Sequence, residues 1–358
     1  MRGLRLLRTA WLIAAAAAVI GLLPPVQTRA KALGVLGEAL GLPIPRPFAS
    51  PFVRGEVSLD GVTGHLYVPA GRSPPVLLVP GAAPRGKDDP RAVRLAGALA
   101  RAGRAVFVPD LELSQRRFVT EDMDRIARAV VALDAHPVTE GPVQLVGISY
   151  GGSFGLVAAA DPRVRGHLVQ VAVFGAYWDL VGVIQAATTG VSLVDGRQVR
   201  WPADPRAERV LRRVALRLVP EGRRGDLREA LAGTESPASL PGEARAIHDL
   251  LVNRDPELTF ELASRLAPED RGLLRRFSPS SVASRIDVPV VAMHSTDDPA
   301  VPFGEVLRLG AALPEARVAR VSLFRHVDLQ TSPLRAVAAL RELSEAWRFS
   351  TWVVAAQE

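Results

Sequence analysis

The amino-acid sequence predicts an α/β fold, in which a mostly parallel β-sheet is flanked by helices and carries a mainly helical insertion. Continuous apolar runs rich in β-branched residues alternate with helical patterns between residues 75 and 177, which is typical of a parallel sheet covered on both faces. The alternation stops over residues 178–285 and then returns. With 358 residues, 48% of them hydrophobic, the chain can form one large domain plus an insertion.

The N-terminal residues 1–30 are predicted to be a signal peptide or an uncleaved membrane anchor. Several arginines precede the apolar run Ala10–Leu23, and two prolines follow it. The run is shorter than the roughly 20 residues that a membrane span needs, and Thr28-Arg29-Ala30 is a poor cleavage site. Both alternatives place the rest of the protein outside the cytoplasm, and the second also associates it with a membrane.

Residues 31–50 are predicted to be a linker or a docking segment, because the short amphipathic stretch Ala32–Leu40 is followed by a run rich in proline. The core then begins with a predicted β-hairpin, in which Asp60-Gly61 separates Phe52–Leu59 from Gly64–Val68.

The α/β core is predicted to comprise residues 51–177 and 286–358. Its strands are predicted from apolar runs, and its helices from longer periodic runs bounded by glycine, proline or a polar cap. After the hairpin, the predicted elements are the strand Pro75–Pro80, the helix Asp89–Ala102, the strand Ala105–Pro109, the helix Thr120–Asp134, the strand that begins at Val143, the helix Phe154–Ala160, the strands His167–Phe174, Val288–His294 and Ala316–Phe324, and a last helix from about Pro333 to Arg348, followed by the apolar tail Trp352-Val353-Val354.

Residues 178–285 are predicted to form a mainly helical cap inserted before the strand that ends at His294. The predicted helices of this insertion are Arg206–Leu218, Asp226–Ala232, Gly242–Val252, Pro256–Leu266 and Pro268–Arg276. As a lid over a pocket, the insertion would offer Trp178, Trp201 and Phe260 as apolar lining. The alternative is that these aromatic residues only pack the insertion on the core.

The composition excludes several kinds of chemistry. The chain has no cysteine, which excludes disulfides, thiol nucleophiles and thiolate metal sites. Its net charge of +7 comes almost entirely from arginine, and the arginines share helices with acidic residues rather than forming a basic tract with aromatics. The arginines are therefore predicted to lie on solvated helix faces and not to form a nucleic-acid interface. No cluster of metal ligands is visible, and neither a metal nor an organic cofactor is expected.

The pentad Gly147-Ile148-Ser149-Tyr150-Gly151 lies between a predicted strand and a predicted helix. A serine on such a turn adopts strained backbone angles and exposes its Oγ. Glycine is expected at 147 and 151 because a Cβ there would clash with the neighbouring strand and helix. The backbone N–H of Tyr150 would point to where an oxyanion forms. The alternative, a tight turn with an ordinary serine, stays open on the pentad alone.

A nucleophilic serine needs a base within hydrogen-bond reach and a carboxylate that orients the base. Four of the six histidines lie in the hairpin, at the opposite end of the sheet or inside the insertion, and are predicted to be structural or surface residues: His65, His136, His167 and His248. The other two, His294 and His326, lie at or beyond the carboxyl ends of predicted strands, where open α/β sheets build their sites.

These motifs together resemble the α/β-hydrolase fold superfamily, whose catalytic order is serine, acid, histidine. The pentad is similar to the superfamily's nucleophile turn, and the segment from His294 to Pro302 is similar to its acid loop, usually His-Gly-x-x-Asp-x-x-Val-Pro. The resemblance implies Ser149 as nucleophile, Asp298 as acid and His326 as base, with His294 a structural residue. Asp297 and Asp179 are rival positions for the acid.

The resemblance departs from the usual pattern after the strand Pro75–Pro80, where His-Gly is replaced by Pro80-Gly81-Ala82-Ala83. The backbone N–H of Ala82 is still expected to supply the second oxyanion donor beside Tyr150, because an amide suffices for this role. Ser295, in place of the usual glycine, is expected to be tolerated.

The activity implied by the resemblance is hydrolysis of a carboxylic ester through an acyl-enzyme on Ser149, without a cofactor. Peptidase or acyltransferase activity of the same fold is an alternative, since Ser-Tyr-Gly-Gly also resembles the turn of prolyl-oligopeptidase-type enzymes. A catalytically silent binding protein is a third hypothesis. The expected partner is a small-molecule ester or other acyl substrate.

Overall fold

A computed structural model of the chain describes residues 24–42, 49–115, 117–194, 197–201, 216, 221–322, 324–325, 328–329 and 336–356. Before the insertion, its helices and strands are α1 (Pro24–Ala39), β1 (Phe52–Leu59), β2 (Val62–Pro69), β3 (Pro75–Val79), α2 (Pro90–Arg101), β4 (Ala105–Pro109), α3 (Glu121–Asp134), β5 (Val143–Ile148), α4 (Tyr150–Ala159) and β6 (Leu168–Phe174). Those of the insertion are α5 (Leu180–Thr189), β7 (Val191–Val194), β8 (Arg197–Arg200), α6 (Arg224–Ala232), α7 (Gly242–Val252), α8 (Thr259–Ser264) and α9 (Pro268–Phe277). After it come β9 (Val290–Ser295), α10 (Gly304–Ala312), β10 (Arg317–Val321), β11 (Phe324–Arg325), β12 (Asp328–Leu329) and α11 (Ala336–Ala355).

An eight-stranded sheet in the order β1-β2-β4-β3-β5-β6-β9-β10 organises the molecule. Strand β2 runs antiparallel to both of its neighbours, and all later pairings are parallel. Every residue of β3 and β4 is buried, as expected for strands that helices cover on both faces. The predicted mostly parallel α/β sheet is therefore confirmed.

The insertion contains more than the predicted helices. Helix α5 and the β7–β8 hairpin precede them and were not predicted, because each hairpin strand has only 4 residues, although Asp195-Gly196 between them is a turn signal. Gly190 ends α5 in the left-handed conformation, with φ of 72°, and lets the chain turn directly into the hairpin. Most of the predicted helix Arg206–Leu218 lies outside the described residues.

Helix α1 corrects the prediction of a linker. It begins at Pro24, crosses the predicted boundary after residue 30 and continues to Ala39. Proline at the first turn is compatible with a helix because its missing N–H has no intrahelical acceptor there. The buried side chains Ala32, Val35 and Leu36 share an apolar cluster with α2 and α11, which favours the docking alternative. Within the described ranges, no helix is at once long enough and apolar enough to cross a membrane.

Helix α11 corrects the prediction of an apolar tail after Arg348, because it continues to Ala355. Phe349, Val353 and Val354 are buried, so the tail is the sheet-facing side of the last turns. Two buried side chains of the sheet region donate hydrogen bonds to carbonyl groups at the end of this helix. Gln144 Nε2 donates to the carbonyl oxygen of Val353 at 2.8 Å, and Arg104 Nη2 donates to that of Val354. The helix end thus finds its hydrogen-bond partners inside the protein.

Candidate active site

Ser149 lies between the end of β5 and the first residue of α4, with φ of 54° and ψ of −131°. A positive φ is rare for a residue with a Cβ and marks a strained backbone. The N–H of Ser149 donates to the carbonyl of Phe174 at 2.7 Å, which fixes the turn to the neighbouring strand β6. The residue as a whole is 6% exposed, so the serine turn lies beneath the surface of the molecule.

The two motif glycines have no room for a side chain. A Cβ on Gly147 would lie against the backbone of Gly152, with its nitrogen at 2.8 Å. A Cβ on Gly151 would meet the carbonyl oxygens of Pro80 and, at 2.6 Å, Val79. The first contact is with the helix and the second with the end of β3, as the sequence predicted.

Asp298 lies in the loop that follows β9 and is 1% exposed. Its Oδ1 accepts the backbone N–H groups of Ala300 at 2.8 Å and Val301 at 3.0 Å. Its Oδ2 lies 3.5 Å from Nε2 of His294, a ring nitrogen that also lies 3.1 Å from the carbonyl oxygen of Val301. The loop therefore holds the carboxyl group in one orientation, with the buried ring of His294 beside it.

The sheet brings the serine turn and Asp298 to the same edge. Strand β6 pairs in parallel with both β5 and β9, and Phe174 is in register with Ile148 on one side and Met293 on the other. Burial and, to a smaller extent, the charge of Asp298 raise the pKa of Tyr150. Tyr150 is thus a neutral phenol at neutral pH and lies close enough to the acid loop to sense its charge.

The two rival acids have other partners. Asp179 caps α5, where its Oδ1 accepts the N–H of Val181 at 2.8 Å, and its Oδ2 accepts the Ser280 hydroxyl at 2.6 Å. Asp297 is exposed, unlike the buried Asp298, and its Oδ1 accepts the Thr296 hydroxyl at 3.4 Å. Neither rival residue is as buried as Asp298, and the two N–H groups that Asp179 Oδ1 accepts, of Val181 and Gly182, belong to the start of α5 and not to the acid loop.

The predicted base, His326, lies outside the described residues, between the short paired strands β11 and β12. The four histidines predicted to be structural have local partners. His65 Nε2 lies 3.0 Å from Asp88, His167 Nδ1 lies 2.6 Å from Asp134, and His248 Nδ1 lies 3.1 Å from Asp249. The Nδ1 of His136 accepts the N–H of Val138 at 3.4 Å.

The sheet order and the strained serine between a central parallel strand and a helix decide the fold. The chain has the α/β-hydrolase fold. The order of its elements also matches the predicted one, with the serine after β5 and Asp298 after β9.

No protein-family model matches the chain, and neither does any curated protein. Among solved structures, it is similar to a dienelactone hydrolase from Anabaena variabilis, with 16% identity, a TM-score of 0.42 and coverage of 84% of this chain and 97% of that one. An esterase from Rhodococcus sp. has 19% identity, a TM-score of 0.41 and coverage of 82% and 98%. For an acylaminoacyl peptidase from Pyrococcus horikoshii these values are 13%, 0.44, 84% and 40%.

The loop after β3 of this α/β-hydrolase fold approaches the serine closely. A Cβ on Gly81 would lie 2.9 Å from Cβ of Ser149 and 3.5 Å from its Oγ. Glycine at 81 therefore lets the backbone that carries Ala82 lie against the serine. On the other side, Tyr150 is the first residue of α4, so its N–H has no acceptor within the helix.

A buried ion pair that sequence reasoning missed lies next to the acid loop. Glu305, on α10, is fully buried, and its Oε2 accepts the N–H groups of Trp178 at 3.0 Å and Asp179 at 2.7 Å. Arg308 pairs with Glu305 and donates to the carbonyl oxygen of Leu193 on β7. The only sequence signal was an acidic residue on the apolar face of a helix. The pair ties α10 to the insertion.

The three aromatic candidates for a pocket lining lie in different surroundings. Trp178 is 4% exposed, and its backbone N–H is one of the two that Glu305 accepts. Trp201 is 5% exposed, and its indole Nε1 donates to the carbonyl oxygen of Asp298 at 2.6 Å. Phe260 is 47% exposed. Trp201 therefore contacts the acid loop itself.

Proposed function

We propose that the protein is a serine hydrolase that cleaves carboxylic esters through an acyl-enzyme on Ser149. The observation that carries the proposal is the strained Ser149, which follows a central parallel strand and shares one sheet edge with the buried Asp298. A non-glycine residue with positive φ persists where the surrounding structure imposes it, and such positions concentrate at catalytic sites.

In this mechanism, His326 takes the proton from the Ser149 hydroxyl as Oγ attacks the carbonyl carbon of the ester. Asp298 orients the imidazole and stabilises the imidazolium that forms. The assignment of His326 rests on the sequence resemblance, and that of Asp298 is supported by its burial and by the two amides that fix Oδ1. The alcohol leaves with the proton from the imidazolium, and water then hydrolyses the acyl-enzyme by the reverse proton transfers.

The negative oxygen of the tetrahedral intermediate would be bound by the backbone N–H groups of Ala82 and Tyr150. The close approach of Gly81 to Ser149 and the position of Tyr150 at a helix start support this pair. The positive end of the α4 dipole adds to the stabilisation. Each such donor contributes roughly 3 kcal/mol to transition-state binding.

The test uses the purified full chain with p-nitrophenyl esters of short acids and with chromogenic peptides. We expect turnover of the esters, and we expect Ser149→Ala to reduce kcat to the rate of the uncatalysed background. A fluorophosphonate probe should label the native chain and leave the Ser149→Ala variant unlabelled. Ser153→Ala is the matched control, because Ser153 lies one helical turn away and its hydroxyl bonds to the Tyr177 carbonyl at 2.8 Å.

Three outcomes would contradict the proposal. Ester turnover that survives Ser149→Ala would mean that another group is the nucleophile. Cleavage of peptides without esters would change the substrate class but keep the nucleophile. A native chain that the probe does not label, and that turns over neither kind of substrate, would be a silent binding protein.

A further inference from the structure

We propose that Trp201 is a positioning residue for Asp298, so that a side chain of the insertion sets the geometry of the catalytic acid. This inference rests on the proposed function, because it concerns the acid of the same triad. Its indole Nε1 donates to the backbone carbonyl of Asp298 at 2.6 Å, and both residues are buried. A hydrogen bond in such surroundings is shielded from competing water.

The indole and the loop amides hold Asp298 from opposite ends. The side-chain Oδ1 accepts the N–H groups of Ala300 and Val301, while the backbone carbonyl accepts the indole N–H. Because a carbonyl group and the side chain of one residue are joined through Cα, displacement of the carbonyl rotates the carboxylate. The orientation of the carboxylate toward the base therefore depends on a contact made from outside the loop.

Trp201 is itself anchored at the base of the β7–β8 hairpin. Its backbone N–H donates to the carbonyl oxygen of Gly190 at 2.8 Å, the residue at which α5 turns into β7. The indole packs against Ala186 and Ala187 of α5. The donor to Asp298 is thus fixed by the insertion and not by the acid loop.

The hairpin is in turn fixed to α10, the helix that follows the acid loop. A Cβ on Gly304 would meet the side chains of Ser192 and Val194, so that β7 lies directly on the start of α10. Arg308 donates to the Leu193 carbonyl from the same helix. The insertion therefore contacts the segment from residue 298 to 308 at both ends, and Trp201 makes the contact that reaches the acid.

The experiment compares Trp201→Phe with Trp347→Phe. The first removes the indole donor to Asp298 and keeps an aromatic ring. The second removes an indole donor of the same kind far from the site, since Trp347 Nε1 donates to the Arg29 carbonyl at 3.0 Å. Both are assayed on the ester that the native chain turns over best, with active sites counted by exhaustive phosphonate labelling, so that kcat refers to folded sites only.

We expect Trp201→Phe to lower kcat per labelled site about tenfold and to leave KM within about twofold, because a misplaced catalytic group affects the transition state more than substrate binding. The acidic limb of the kcat/KM profile should move to lower pH, since the imidazolium loses part of its stabilisation. Trp201→His, which keeps a ring N–H, should recover part of kcat. Trp347→Phe should change neither kcat nor the pH profile.

An unchanged kcat and pH profile in Trp201→Phe would overturn the positioning role while Ser149-dependent turnover of the native chain kept the proposed function intact. A rise in KM with kcat unchanged would also overturn it and would make Trp201 a substrate contact. If Trp201→Phe did not fold, the Trp201→His variant would decide by the same two readouts. Absence of labelling in the native chain would instead contradict the proposed function.

Discussion

At the scale of single residues, the strained backbone of Ser149 links stability to function. Its φ of 54° lies in a region that costs about 1–3 kcal/mol for a residue with a Cβ. The turn is imposed by β5, α4 and the hydrogen bond to Phe174, so the rest of the fold supplies the free energy that maintains it. If the side chain at this position had no catalytic role, the strained backbone would lower the stability of the fold without any gain in function.

We therefore predict that Ser149→Gly unfolds with a free energy about 1 kcal/mol higher than Ser149→Ala, because glycine adopts positive φ without strain although its unfolded chain is more flexible. Urea denaturation of the two inactive variants measures the difference. Equal free energies of unfolding would mean that the turn is not strained in solution.

The glycine at 151 permits a different prediction. Gly151→Ala should lower the free energy of unfolding by about 3 kcal/mol, because the new Cβ would press on the Val79 and Pro80 carbonyls, which belong to the backbone and cannot rotate away. Gly34→Ala is the control, since a Cβ there meets nothing within 4 Å and alanine favours the helix α1. Denaturation curves that show the same change for both variants would contradict the packing argument.

At the scale of elements, the sequence predicted those parts of the fold that have a local signal. Most core strands and helices were predicted to within a few residues, because apolar runs and glycine or proline boundaries report burial and chain reversal directly. Helix α10 was not predicted, and α11 continues to Ala355 beyond its predicted end at Arg348. The β7–β8 hairpin was not predicted, since its strands of 4 residues give a weak pattern beside the Asp195-Gly196 turn signal, and it also depends on contacts of Ser192 and Leu193 with α10. Such contacts join residues far apart in the chain and leave no local pattern.

The candidate site likewise contains some features that the sequence predicted and others that it could not predict. The glycine requirements at 147 and 151 followed from the motif alone, and the roles of Ser149, Asp298 and His326 stay predictions. The bonds of Glu305 and Arg308 to the insertion and the indole bond of Trp201 could not be predicted, because each connects the insertion with α10 or the acid loop. Only the tertiary structure brings those partners together.

The buried Glu305 of α10 is predicted to make the free energy of unfolding depend on pH. Burial raises its pKa to about 7 from the usual 4.5, although Arg308 and the two backbone N–H donors oppose the rise. The folded protein thus keeps this proton to a higher pH than the unfolded chain does. The contribution of the group to the free energy of unfolding is complete below pH 4.5 and is lost as the pH rises to about 7, by an amount on the order of 3 kcal/mol.

The measurement is urea denaturation of the native chain and Glu305→Gln between pH 4 and 8. The free energy of unfolding of the native chain minus that of the variant should fall across this interval and level off above pH 7. Glu315→Gln, at an exposed position after α10, controls for the loss of one carboxylate. A difference that stays constant with pH would mean that Glu305 titrates alike in the folded and unfolded states.

At the scale of the whole molecule, the first and last described helices, α1 and α11, belong to one layer on the sheet. Helices α1 and α11 pack against each other, and Trp347 of α11 donates its indole N–H to the Arg29 carbonyl of α1. Thr28, in the first half of α1, is 6% exposed. Residues on both sides of the poor cleavage site therefore belong to the folded domain.

We propose on these grounds that residues 24–30 remain part of the folded protein and that the chain is not cleaved after Ala30, which favours the uncleaved anchor over the signal peptide. A chain that begins at residue 31 would lose the buried Thr28 and the acceptor of Trp347, and we expect its free energy of unfolding to be about 2 kcal/mol lower than that of a chain that begins at residue 24. Urea denaturation of the two shortened chains measures this difference. In cells that produce the full chain, the mass of the mature protein should include residues 24–30, because cleavage after Ala30 would cut within α1. A soluble, exported protein that begins at Lys31 and is as stable as the longer chain would contradict the retained anchor.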